Sequence, residues 1–230
     1  MTPSPRAILA PALLAATVLV PTAAHTFNLL KPVRHWASVP VQVCVVGPGH
    51  ASITADDPDR GLTATIQALN GTHPNLDGTG WNGVAAVGPV IDAVSCNTTW
   101  RLADGIPTIA FNEMITGTCV GSCLAATFTG FYHCDPALPD GHCVVDDADV
   151  ETRKNKADRY GGPFYSLYET GCTRGKEWSL EAVMVHEAGH QLGIGHTDVV
   201  GATMYPSLPS CNPAAATIEN DDISALDVLY

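Results

Sequence analysis

Three histidines and one glutamate lie within the stretch HEAGHQLGIGH, which runs from His186 to His196. His186 and His190 are four residues apart, so on an α-helix their imidazoles leave the same face one turn apart and can share one metal ion. Glu187 would then lie beside that face. Gly193 can end the helix in the left-handed conformation that glycine adopts without strain, which lets the chain turn back and bring in His196 as a third ligand.

This set of side chains predicts a catalytic zinc site. Three neutral imidazoles are a typical ligand set of such a site, and they leave a fourth position open for water. Zinc lowers the pKa of that water towards about 7, and a nearby carboxylate can take its proton. One catalytic Zn²⁺ is therefore expected, with Glu187 as the general base.

There are two alternative interpretations of the metal chemistry. A secreted binding protein could use a purely structural zinc, although structural sites usually have four protein ligands. A copper-binding protein could use His25 as an N-terminal chelator, but that interpretation leaves the motif at residues 186–196 unexplained. Metal analysis with an activity assay separates them, because zinc with hydrolytic activity, zinc without activity and copper are different outcomes.

The chain begins with the pattern of a secretory signal peptide, residues 1–24. MTPSPR is weakly positive, fourteen apolar residues follow, and small residues precede the expected cleavage after Ala24. Fourteen residues are too few to span a bilayer. We therefore expect a secreted protein that has no membrane anchor.

Charge and size limit the partners and the architecture. Lys and Arg number 11 against 23 Asp and Glu, a formal net charge of −12 among 230 residues. This balance argues against nucleic acids and anionic membrane surfaces as partners. Residues 25–230 have the length of one domain, which we expect to be a monomer.

The eight cysteines are an even set, which predicts four disulfides in an exported chain. Eight cysteines allow 105 pairings, and the sequence leaves the choice open. In one of them, local pairs would staple short loops and the other cysteines would join distant segments: Cys119 with Cys123, Cys134 with Cys143, Cys44 with Cys96, and Cys172 with Cys211.

Hydrophobic patterning predicts strands and one helix first, followed by the helix of the histidine motif. VPVQVCVV, AAVGPVIDAV, IPTIAFNEMI and CVVDDADV are typical of strands, whereas RGLTATIQALNGTH has helical spacing. Residues 119–143 are predicted to form a stapled surface loop. Ser179 is a suitable N-cap for the helix LEAVMVHEAGHQLG, and a last helix is expected in IENDDISALDVLY.

The motif, the following ATMYP, the upstream DDADV and the terminal ENDDISALDVLY together resemble the matrixins, the matrix-metalloprotease type of metzincin. The resemblance implies an α+β fold over roughly residues 33–230. Its upper subdomain, residues 33–193, would hold a twisted mixed sheet and two helices above a zinc cleft. An irregular lower subdomain, residues 194–230, would carry a Met-turn and a C-terminal helix.

The resemblance also implies roles for particular residues. His186, His190 and His196 would bind zinc, Glu187 would act as the base, and Met204 would lie beneath the ion. Asp222 would fasten the last helix to the Met-turn, and Pro206, Ser207 and Leu208 would form a wall of the substrate pocket. IPTIAFN is expected to be the edge strand that pairs with an extended peptide. The implied function is a secreted zinc endopeptidase acting on protein or peptide substrates.

Several features depart from the matrixin pattern. Thr197 and Asp198 follow the third histidine where matrixins usually have serine, and Tyr205 directly follows Met204, so a tyrosine ligand to zinc is not expected. No propeptide with a cysteine switch is recognisable before residue 33, so we expect activity without its removal. The pattern of the matrixin structural zinc is also not recognisable.

Two further groups of side chains offer metal ligands. His133, Asp135, Asp140 and His142 are expected to be solvated rather than bound to a second zinc. Asp146, Asp147 and Asp149 supply the oxygen ligands that a Ca²⁺ site would need.

Overall fold

The computed structural model describes eleven parts of the chain. They are residues 27–47, 60–76, 80–82, 88–98, 101, 103–111, 123–135, 142–152, 165–167, 172–175 and 177–230. The predicted signal peptide, His25, Cys119 and Asp140 lie outside these residues.

Strands precede the last two helices along the chain. The strands are β1 (Arg34–Trp36), β2 (Val41–Val46), β3 (Ile91–Cys96), β4 (Thr108–Ala110), β5 (Ala125–Cys134), β6 (Cys143–Thr152), β7 (Tyr165–Ser166) and β8 (Trp178–Ser179). The helices are α1 (Arg60–Leu69), α2 (Leu180–Gln191) and α3 (Asn220–Leu229), with a short 3₁₀ turn at Ala214–Ala216.

The main sheet is mixed, as predicted. β3, β2, β4 and β6 are neighbours in that order and run parallel. β6 also pairs with β1 in parallel and with β5 antiparallel, and β7 and β8 form a separate two-stranded sheet. The inward-facing valines of β2, Val41, Val43 and Val45, are buried, which accounts for the alternation in its sequence.

The prediction that IPTIAFN forms the edge strand is wrong. Its central residues are β4, which lies between β2 and β6 with all three residues buried. A short apolar run with neighbours on both sides is typical of an interior parallel strand. The apolar segment therefore has no free edge to offer a peptide.

The stapled loop predicted for residues 119–143 is also wrong in its described part. Ala125–Cys134 forms β5, a ten-residue strand that runs antiparallel to β6. The register shifts between Phe128 and Phe131, so the strand is irregular rather than continuous. The Cys134–Cys143 disulfide joins residues that face each other across these strands, so it staples a hairpin.

The other described disulfides match the arrangement of pairs considered from the sequence. Cys44 is bonded to Cys96 across β2 and β3, and Cys172 is bonded to Cys211. Cys123 is also disulfide-bonded, and Cys119, its partner in that arrangement, lies outside the described residues.

Helix α2 lies in the core and begins where it was predicted to begin. The Ser179 hydroxyl accepts a hydrogen bond from the Ala182 amide at 3.3 Å, which caps the helix N-terminus. Leu180, Val183 and Met184 are buried as expected. The Trp81 indole also donates to the Val185 carbonyl at 2.9 Å, fixing the middle of the helix. Among the described helices, none combines the length and apolarity that crossing a membrane requires.

Candidate metal centre and cleft

The turn after α2 brings the third histidine back to the helix. Gly193 has φ +100°, and a side chain there would collide with the carbonyl oxygen of Arg34. The Gly193 amide donates to the His190 carbonyl at 3.1 Å, and the Ile194 amide donates to the Gly189 carbonyl at 2.9 Å. These two bonds form a Schellman motif, which ends the helix and redirects the chain towards His196.

The three predicted histidines converge. Nε2 of His196 lies 3.3 Å from Nε2 of His186 and 3.1 Å from Nε2 of His190. Nitrogen atoms that bind one tetrahedral zinc at about 2.0 to 2.1 Å lie roughly 3.3 Å apart, so the arrangement has the dimensions of a zinc site. Among the described residues, these three histidines form the one group of His, Cys, Asp or Glu side chains that is close enough together to bind a shared metal ion.

The protonation of two of these rings follows from their partners. Nδ1 of His186 donates to the Thr203 carbonyl at 2.6 Å, and Nδ1 of His190 donates to the Ile194 carbonyl at 2.7 Å. A carbonyl oxygen can only accept, so Nδ1 carries the proton and Nε2 of the neutral ring presents a lone pair. Lone pairs this close to one another repel unless a cation lies between them, so the donor set fits a metal ion.

Burial keeps the rings in the metal-binding form. Desolvation, with a contribution from the neighbouring His186, lowers the pKa of His190 to about 3. The same two causes lower the pKa of His196. Neutral imidazole is the form that binds zinc, so the environment favours ligation at neutral pH.

Two segments distant in sequence hold the loop and helix end that carry the ligands. The Asn28 side chain donates to the His196 carbonyl at 2.8 Å, and the Gly195 amide donates to the Asn28 carbonyl at 2.8 Å. At the end of α2, the Tyr230 hydroxyl donates to the Leu192 carbonyl at 2.9 Å. Sequence reasoning missed Asn28, since a lone asparagine near the predicted N-terminus carries no motif.

Glu187 lies beside the histidines with little exposure to solvent. The residue is 7% exposed, and its Oε2 accepts a hydrogen bond from the Thr127 hydroxyl at 2.6 Å. Burial raises the pKa of Glu187, against the opposing effects of His186 and the Thr127 hydroxyl. A carboxylate with a raised pKa is suited to accept and return a proton near neutral pH. Thr127 was also missed, because its strand was interpreted as a loop.

The Met-turn packs against α2 and is tied to α3. Met204 is fully buried, and its thioether contacts α2 at Gly189, where a side chain would collide with it. Asp222 accepts hydrogen bonds from the amides of Thr203 at 3.2 Å, Met204 at 3.3 Å and Glu219 at 3.1 Å. The contact implied for Asp222, between the last helix and the Met-turn, is therefore present.

A cleft of about 710 Å³ opens beside the histidines. The start of β5 lines one side, and the residues predicted to form a pocket wall, Pro206, Ser207 and Leu208, line another. The Trp178 indole donates to the Leu208 carbonyl at 3.1 Å and holds this wall in place. The cleft can therefore take an extended chain against an apolar surface.

The aspartates considered for calcium have other contacts. Asp149 accepts hydrogen bonds from the amides of Ala103 at 3.0 Å and Thr108 at 3.2 Å, and Asp147 accepts one from the Gly105 amide at 3.0 Å. Asp146 lies 2.8 Å from Nδ1 of the exposed His133. The buried pair therefore ties the loop before β4 to β6.

Comparison with known proteins agrees with this geometry. The model of one peptidase family, described as matrixin, matches residues 121–230. Metalloendoproteinase 1 of Glycine max is 43% identical over 94 residues, which are 41% of this chain and 27% of that protein. Matrix metalloproteinase-18 of Xenopus laevis is 37% identical over 70 residues, and neutrophil collagenase of Homo sapiens is 30% identical over 70 residues; both matches cover 30% of this chain and 15% of the relative.

A histidine cluster beside a buried glutamate in an open cleft is the arrangement of a zinc metallopeptidase. Over residues 121–230 the chain is similar to the matrixins, and the relatives named above are metalloproteinases. The matched stretches are at most 27% of the length of these relatives. The activity and substrates of the whole protein are therefore proposals.

Proposed function

We propose that the protein is a secreted zinc-dependent endopeptidase. The observation that carries the proposal is the convergence of three Nε2 atoms, with separations of 3.1 and 3.3 Å, beside the buried Glu187. His186, His190 and His196 would hold one zinc ion. When bound, zinc would polarise the scissile carbonyl and lower the pKa of a water molecule, which could then lose a proton and attack the carbonyl at neutral pH.

Glu187 is the proposed general base. Its carboxylate borders the cleft, so a water molecule between it and the scissile carbonyl can lose its proton to the carboxylate. The protonated Glu187 then returns the proton to the leaving amine. The raised pKa supports the first of these steps, since a carboxylate that holds a proton more readily is a better base.

The substrate is proposed to bind as an extended peptide along the start of β5. Leu124 and Ala125 line the cleft, and among the described strands β5 pairs with β6 alone, on one side. An unpaired strand edge can form backbone hydrogen bonds with an extended peptide. This is the mode of substrate binding that was predicted from the sequence for IPTIAFN. Because Pro206 and Leu208 offer no charge on the opposite wall, we expect an apolar residue directly after the cleaved bond.

The remaining features of the proposal come from the sequence. Residues 1–24 are proposed to be a signal peptide and residues 25–230 a monomeric catalytic domain, divided by the cleft into residues 33–193 and 194–230. Protein or peptide substrates are the proposed partners. The purely structural zinc site is disfavoured, because among the described residues the ion would have three ligands, next to an open cleft.

Two substitutions test the proposal together. Glu187→Gln should lower peptide cleavage by at least about a hundredfold while zinc stays bound, because it removes a base and no ligand. His190→Ala should lower zinc content and activity together. His133→Ala, at an exposed histidine outside the cluster, is the matched control and should leave both unchanged. A Glu187→Gln protein that digests denatured casein at the parent rate would refute the mechanism.

A further inference from the structure

We propose that Thr127 is a positioning residue for the general base, holding Oε2 of Glu187 so that Oε1 takes the proton from water. This inference rests on the proposed peptidase function. It assigns a task to a side chain of β5 that neither the motif nor the family match identifies. Thr127 acts here through Glu187 and need not touch the substrate.

The contact is short and directed at one oxygen atom. The Thr127 hydroxyl lies 2.6 Å from Oε2 of Glu187 and 2.9 Å from the carbonyl oxygen of the same residue. A hydroxyl has one proton, and a charged carboxylate is the stronger acceptor, so the proton belongs mainly to the shorter contact. Within the described part of the chain, Thr127 is the hydrogen-bond partner of this carboxylate.

The β5–β6 ladder fixes the position of the Thr127 hydroxyl relative to Glu187. Thr127 faces Val150 across the β5–β6 ladder, so its backbone is fixed by the sheet. Its branched side chain has few rotamers, which limits where the hydroxyl can point. Glu187 is 7% exposed, so the site has little water to replace a lost hydrogen bond to the carboxylate.

The same hydrogen bond suits both protonation states of Glu187. While Glu187 is ionised, Thr127 donates to Oε2 at 2.6 Å. Once Glu187 has taken the proton on Oε1, Oε2 is still a hydrogen-bond acceptor, so Thr127 can keep donating to it. The carboxyl group therefore keeps its orientation until it returns the proton to the leaving amine.

A structural role predicts different behaviour. If Thr127 only fastened β5 to α2, its loss would lower stability, zinc content and activity together. If it positions the base, its loss lowers kcat while the folded, zinc-loaded enzyme binds substrate as before. Thr127→Val removes the hydroxyl and keeps the shape, whereas Thr127→Ser keeps the hydroxyl.

The test measures kcat and KM with a quenched fluorescent peptide, built around a bond that the parent enzyme cleaves in denatured casein. For Thr127→Val we expect kcat to fall about 10-fold to 100-fold, the usual effect of losing a hydrogen bond to a charged group. KM should change less than about threefold, and zinc content should stay at the parent level. Thr127→Ser should keep kcat within about threefold of the parent.

The control is Thr129→Val on the same strand, where the structure shows no side-chain hydrogen bond among the described residues. It should match the parent in kcat and KM. If Thr127→Val does not fold, Thr127→Ala provides a second variant that lacks the hydroxyl.

The other outcomes overturn the inference. Equal kcat values for Thr127→Val and Thr129→Val would show that the hydroxyl does not assist the base. A Thr127→Ser enzyme as impaired as Thr127→Val, or a loss of kcat that follows zinc loss, would show a structural staple. Glu187→Gln, assayed in parallel, separates the two proposals: if it keeps full activity, the peptidase mechanism itself fails.

Discussion

Asp222 provides the most direct test of how the lower part of the molecule supports the metal centre. Its carboxylate is 1% exposed and accepts hydrogen bonds from three backbone amides, those of Thr203, Met204 and Glu219. Asp222→Ala leaves all three donors without this partner. The Met-turn would then lose its connection to α3, although its sequence is unchanged.

The size of the effect follows from two opposing contributions. Each buried donor left without a partner costs about 1 to 3 kcal/mol, so the amides of Thr203 and Met204, whose hydrogen bonds are buried, together cost at least about 2 kcal/mol. Burial raises the pKa of Asp222, which means that burying its charge is itself unfavourable, so the low end applies. For a domain of this size, about 2 kcal/mol corresponds to a fall in melting temperature of roughly 4 to 8 °C.

The assay is thermal unfolding of the zinc-loaded protein at pH 7, followed by circular dichroism. Asp227→Ala, at an exposed position of the same helix, is the matched control and should change the melting temperature by less than about 2 °C. Zinc affinity should also fall in Asp222→Ala, because the Thr203 carbonyl that Nδ1 of His186 contacts belongs to the released turn. A melting temperature for Asp222→Ala within about 2 °C of the parent would refute this reasoning.

Two further predictions concern the zinc ligands. Asn28→Ala should weaken zinc binding by about tenfold or more in a chelator competition, because Asn28 donates to the carbonyl of His196; unchanged affinity would show that the loop holds itself in place. In the metal-free folded protein, the pKa of His190 is lowered to about 3, so the unfolded chain takes up this proton first as the pH falls. The free energy of unfolding should therefore be highest above about pH 6.5. It should decline towards pH 3 by at most about 1.4 kcal/mol per pH unit. Urea unfolding at several pH values measures that decline, and metal-free His190→Gln should show a shallower one; equal slopes in the two proteins would contradict the prediction.

The local features of the site were predictable from sequence because short-range rules govern them. Spacing of four residues places His186 and His190 on one helical face, and Ser179 caps the helix through its own hydroxyl. Gly193 ends the helix through a positive φ that other residues rarely adopt. Each of these effects operates within one or two turns of chain, so no knowledge of the rest of the molecule was needed.

The same short-range rules could not predict the order of the strands in the sheet. IPTIAFN was predicted to form the edge strand and proved to contain β4 in the interior, while the predicted loop from residue 119 to 143 contains the edge strand β5. Local sequence records whether a segment suits a strand but not which strands become its neighbours. That choice depends on how the parallel strands are connected and on which faces α2 covers.

The proposed zinc ligands, the proposed base and the ends of α2 were predicted from the sequence alone, which left 105 disulfide pairings open. Only the tertiary structure decided which strand borders the cleft and which distant groups support the reacting side chains. Thr127 and Glu187 are separated by 60 positions, and Asn28 and His196 by 168, yet each pair is joined by a hydrogen bond of 2.6 to 2.8 Å. A hydrogen bond depends on distance and angle in space, and these are set by the packing of the whole chain rather than by the spacing of residues along it.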